Sequence, residues 1–154
     1  MLDIKHQITQ LLTQDRNAEA IELAQSLTIS EPGDALAFNL LSHAYSLDKQ
    51  LEAAETASRR AISLEPHEPS FWFHLGRILF HKREINEAQT AFEKCISLSQ
   101  ELEWEYYLDS AKLALAQCLS LGQRQSEAKK LALEVNPCTG IWLGTYINPA
   151  LILQ

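Results

Sequence analysis

The sequence predicts an all-α fold built from stacked antiparallel helix hairpins, and three observations carry that prediction. The first is self-similarity at a fixed step. Phe38, Leu41, Ser42, Tyr45, Ala54, Ser58 and Ala61 are answered 34 residues later by Trp72, Leu75, Gly76, Leu79, Ala88, Phe92 and Cys95. A repeat in this range marks stacked supersecondary units, each too small to bury its own apolar face. The second is apolar spacing of three or four along each half of the unit. Phe38, Leu41 and Tyr45 form one stripe, with Leu47 two residues further on, and Leu51, Ala54, Ala57, Ala61 and Leu64 form another. Two such stripes joined by the polar turn Asp48-Lys49-Gln50 make a helical hairpin. The third is composition. Five Gly and five Pro in 154 residues leave room only for short connections.

Within the unit at residues 35–68, small side chains stand where paired helices approach, Ser42 on the first helix and Ala54 on the second. Gly76 and Ala88 repeat them in the unit at 69–102. A larger side chain there overpacks the contact at roughly 1–3 kcal/mol. Pro66 closes one second helix, because it lacks an N–H and disfavours helical geometry in Glu65. Asp34 is placed to cap the helix that follows it, and Pro69 fits a first helical turn, where its missing donor costs nothing.

These residues resemble the tetratricopeptide repeat. Trp72, Leu75, Gly76, Ala88 and Phe92 match the family pattern in one unit, and Phe38, Leu41, Ser42, Tyr45, Ala54, Ala61 and Pro66 match it in the other. The resemblance implies a right-handed superhelical solenoid of about four repeats, at 1–34, 35–68, 69–102 and 109–136, forming one repeat domain over 1–136. The first unit is degenerate, with Ile4, Ile8, Leu11 and Leu12 on one helix and Ala20, Ala24 and Leu27 on the next. Asp15 is placed as a cap for that second helix. In the last unit Ala128 follows Ala88 by 40 residues instead of 34. The six extra residues lie near 100–107, as an extension of the fourth unit's first helix or as a longer loop before it.

Residues 137–154 carry no charged side chain. Three readings of this apolar tail stand side by side. It folds back as a cap, or docks on a second copy or another protein, or opens a following domain.

Composition excludes several functions. A net charge of −7 and a pI near 5.2 leave no basic surface for nucleic acid. Apolar content of 46% with a mean hydropathy of −0.16 describes a foldable chain. No apolar run is long enough for a membrane helix. Three cysteines without a Cys-x-x-Cys pair, and a start without a secretory pattern, point to the cytoplasm. Cys95, on a small-residue position, reads as a packed thiol. Phosphate-loop, dinucleotide, zinc-protease and nucleophile-elbow motifs are missing, so no enzyme activity, cofactor or metal is expected.

The expected function is protein binding, as an adaptor or scaffold. In the family the first helices of successive units line a concave groove for a peptide or helix. Carried over residue by residue, the groove positions are Lys5, Thr9, Asn39, His43, Ser46, Phe73, Arg77, Phe80, His81 and Gln117, with Leu113 beside the last. Lys5, Arg77, His43 and His81 make these positions neutral to basic, which favours an acidic or C-terminal segment as partner. The alternative for Phe73 and Phe80 is packing between units. The family's carboxylate clamp for chaperone tails is mostly absent: Lys5 and Asn39 fit it, whereas Thr9, Leu40, Ser70 and His74 depart from it. Two further readings are a regulatory N-terminal part of a larger enzyme and a structural protein forming a homodimer through the tail.

Overall fold

The computed structural model describes residues 3–154. The expected first unit, 1–34, therefore begins two residues outside the described chain. The fold divides into two compact units, Met1–His67 and Glu68–Gln154.

The first unit holds α1 (Ile4–Thr13), α2 (Asn17–Ser30), α3 (Ala35–Leu47) and α4 (Leu51–Leu64), each packed on the next. Asp3 caps α1 by accepting from the Lys5 N–H. Asp34 caps α3, its Oδ1 accepting from the N–H groups of Leu36 (3.0 Å) and Ala37 (3.3 Å). A cap of this kind is worth about 1 kcal/mol. The core gathers Ile8, Leu12, Ala20, Ile21, Ala24, Leu27, Ala37, Leu41, Ala44 and Ala57. Ser42 sits in the seam between α3 and α4 and donates to the Ala54 carbonyl at 2.8 Å, which answers its buried hydroxyl.

Asp15 does not cap α2. It adopts φ 56°, and the side chain of Arg16, at the N-cap, makes no capping bond. The hairpin turn is closed by backbone instead. The Arg16 N–H reaches back to the Leu11 carbonyl at 3.0 Å, the closure of a left-handed helix end. The same device recurs with Lys49, Arg83 and Gln123 in positive φ, followed by Gln50, Glu84 and Arg124 donating to Tyr45, Leu79 and Leu119 at 2.9 Å each. The first three left-handed residues are spaced by the repeat step, so the turn belongs to the repeat as firmly as the core does.

The second unit holds α5 (Pro69–His81), α6 (Ile85–Glu101), α7 (Leu108–Leu121) and α8 (Gln125–Leu133), then β1 (Ile141–Trp142), β2 (Tyr146–Ile147) and α9 (Pro149–Leu153). Glu68 caps α5, with Pro69 in its first turn. Gly76 is essential to the α5–α6 seam: a Cβ there would lie 2.6 Å from Cε1 of Phe92, whose ring is fully buried. The equivalent positions in the first unit are Ser42 and Ser58, both buried.

The six extra residues neither lengthen α7 nor form a loop alone. α6 runs to 17 residues against 14 in α2 and α4, and 102–107 then lead into α7. Glu103 (φ 52°) and the Trp104 N–H, 2.9 Å from the Ser99 carbonyl, end α6 by the same left-handed closure.

The tail folds back within this unit. β1 and β2 pair antiparallel, Ile141 opposite Ile147 and Trp142 opposite Tyr146. β1 rests on α7, and α9 rests on α7 and α8. Ile141, Leu143, Ile147 and Ile152 are buried, and Gln125 Nε2 donates to the Ile152 carbonyl at 3.1 Å. Asp109 holds the approach, its Oδ2 accepting from the Asn136 N–H at 3.0 Å. Burial of alternate residues explains how a segment without charges is accommodated. No helix among the described residues is long and apolar enough to cross a membrane.

Cys95 and Cys118 lie in the core of this unit, and Cys138 is exposed. Burial pushes the Cys95 thiol up to about 11 and the Cys118 thiol up to about 12. Both stay protonated in the folded chain where an unfolded chain ionises near 9. Their contribution to stability is complete below pH 9 and is lost as pH rises towards 11 and 12, at about 1.4 kcal/mol per pH unit for each thiol. Alkylation at pH 8 is expected to label Cys138 alone. The urea midpoint is expected to fall between pH 9 and 11, and less so in a Cys95→Ala, Cys118→Ala chain.

Candidate functional site

The ten positions read as a groove fall five to each unit. In the first, Lys5 is already engaged: its ammonium forms an ion pair with Asp34, and that hydrogen bond raises its pKa. Thr9 is exposed and donates to the Lys5 carbonyl at 2.9 Å. Asn39 is buried, while His43 and Ser46 are half-buried on α3. α1 and α3 touch directly, so the five residues occupy neighbouring helices.

In the second unit, Phe73, Arg77, Phe80 and His81 run along α5 at steps of four, three and one, with Phe73, Arg77 and Phe80 on one face. Phe73 and Phe80 are each 6% exposed. Both are buried and offer little surface to a partner. Phe73 lies 5.8 Å from the Phe92 ring and 5.0 Å from Tyr107, just ahead of α7. Phe80, His81 and Gln117 do come together. With Arg83, Leu121 and the hairpin residues Leu143, Gly144 and Thr145 they line a pocket of 260 Å³. Its apolar lining comes from Phe80, Leu121 and Leu143, and its polar side chains are an imidazole, a guanidinium, a carboxamide and a hydroxyl.

Arg77 is the most telling side chain of this face. It is half-buried, yet its guanidinium has no ion pair or hydrogen bond among the described residues. Burial lowers its pKa, and the neighbouring Tyr107 oxygen works weakly the other way. Burial in turn raises the Tyr107 pKa. A guanidinium stripped of water without a counter-charge gains more from an arriving carboxylate than a solvated one does. This face contains no nucleophile paired with a base.

Two contributors to this face escape the repeat pattern. Tyr107 sits in the insertion, where the step of 34 no longer assigns positions. Leu143 and its neighbours sit in the tail, although the alternation Ile141, Leu143 against Trp142, Gly144 is a strand signal that could have placed them.

Comparison with known proteins bears on the fold. A tetratricopeptide repeat family model matches residues 35–68 and again 69–102. No curated protein matches the sequence. Among solved structures, MamA is similar with a TM-score of 0.75 at 21% identity, over 83% of this chain and 71% of that one. The type III secretion translocator chaperone SycD of Yersinia enterocolitica is similar with a TM-score of 0.71 at 18% identity, over 79% and 83%. The Sgt2 TPR domain of Aspergillus fumigatus is similar with a TM-score of 0.71 at 21% identity, over 80% of each. At these identities the likeness speaks for the fold.

Proposed function

We propose, from the premise that the chain is a tetratricopeptide repeat protein, that it is a non-enzymatic binding module whose α5–α7 face receives a protein segment carrying a carboxylate. The observation that carries this reading is the half-buried guanidinium of Arg77 without a counter-ion. His81 and Gln117 supply further donors on the same face, and the pocket beside them accepts one side chain of the partner. A partner that is itself a protein is supported by the fold family and by SycD, a translocator chaperone. In the first unit the same reading gives α1 and α3 a face of their own, with Thr9 exposed, His43 and Ser46 half-buried, Asn39 buried, and Lys5 tied to Asp34. A free α-carboxylate at the end of a segment suits the α5–α7 face best, because it places the charge without a flexible linker.

The test is a panel of peptides that differ only at the C-terminus, each prepared as free acid and as amide and titrated against the full chain. Free acids binding at least tenfold tighter than their amides is the expected result. Equal affinities across the panel would refute the carboxylate reading.

A further inference from the structure

The six residues that interrupt the repeat step build an exposed aromatic surface. Its anchor is Tyr107, half-buried, with its ring 5.0 Å from Phe73 and 6.1 Å from His74. Tyr106 and Trp104 lean on that anchor edge-on, at 4.9 Å and 77° and at 5.9 Å and 84°. The two outer rings are nearly parallel to each other, 6.4 Å apart with 19° between their planes. Tyr106 is 74% exposed and Trp104 37%. Around them in the sequence stand Glu101, Glu103 and Glu105, all exposed. The carboxylates of Glu103 and Glu105 have no ion pair or hydrogen bond among the described residues.

We infer that residues 101–107 form a docking surface for a lysine- or arginine-bearing segment of another protein. A cation within about 6 Å of a Trp or Tyr ring face is attracted by the ring quadrupole. Here two such faces are held in place by a third ring, so binding need not order them. The three glutamates add a field of the matching sign, which draws a basic segment in and disfavours an acidic one. The left-handed turn at Glu103 fixes the angle at which the rings leave α6, and the turn is closed by the Trp104 N–H on Ser99. A contiguous exposed aromatic cluster rimmed by polar residues is the kind of surface that marks an interaction site. The inference goes beyond the carboxylate reading of Arg77 and stands without it.

The probe is a capped peptide of three basic residues flanked by glycine, with a counterpart in which glutamine replaces each basic residue. Both are titrated against the full chain and against a Trp104→Ala, Tyr106→Ala chain of identical net charge. The basic peptide is expected to bind the unaltered chain at least tenfold tighter than the glutamine peptide. The double substitution is expected to remove most of that margin while the helical melt persists. Should the double variant fold poorly, Tyr106→Ala alone removes the most exposed ring and is expected to weaken binding about threefold. The Trp104 indole N–H resonance is expected to move on titration. Undiminished binding by the ring-deleted chain would overturn the inference, and so would equal affinity for the two peptides.

Discussion

Replacing Phe92 with alanine is expected to cost about 3–5 kcal/mol of unfolding free energy, the range for deleting a fully buried phenylalanine. The local geometry argues for the upper part. The ring fills the seam between α5 and α6 and faces Gly76, which has no side chain to move into the vacated space. It also meets Phe73, which is itself held by Tyr107. The hole would therefore stay largely open, and the cost of an open hole grows with its volume. Single domains carry about 5–15 kcal/mol in total, so this change alone would leave the second unit marginal. Urea unfolding followed by circular dichroism reads the effect. A loss below about 1.5 kcal/mol would mean that the seam is not packed as described.

The second large effect concerns binding. Arg77→Ala is expected to erase the preference for a free C-terminal carboxylate and to weaken the best peptide 10- to 100-fold, the worth of about 1.5–3 kcal/mol in a charge-assisted hydrogen bond. Stability is expected to change by less than about 1 kcal/mol, because no ion pair is lost with the guanidinium. Arg77→Lys separates charge from shape. An ammonium keeps the charge and loses the planar fork, so it is expected to recover part of the affinity. Calorimetric titration with free-acid and amide peptides distinguishes the cases. A variant that binds the free acid as the unaltered chain does would remove Arg77 from the site.

Much of this architecture is legible from the chain because the repeat writes each contact twice. Gly76 and Ser42, Ala88 and Ala54, and the turns at Lys49 and Arg83 occupy equivalent positions, and each explains its partner. Asp15 misleads because side-chain capping and backbone closure call for similar polar residues at a helix junction, and only the dihedral angles tell them apart. The insertion is harder. Once six residues enter, the register no longer says which helix they lengthen, and here α6 and the connection share them. Arg77, His81 and Gln117 are proposed from repeat position alone. Phe73 and Phe80 share that position, yet their burial follows from what reaches them: Tyr107 meets Phe73, and the tail hairpin meets the Phe80 pocket. Both contacts come from segments outside the repeat, where periodicity is silent.

The central claim is that the α5–α7 face holds the partner. Amide and side-chain chemical shifts of the full chain, recorded while a free-acid peptide is titrated to saturation, test it most directly. The account predicts the largest changes at Arg77, His81 and Gln117, with Tyr107 following. Changes confined to α6 and α8 residues such as Glu93, Lys94 and Lys130, with Arg77 and Gln117 unmoved, would contradict it.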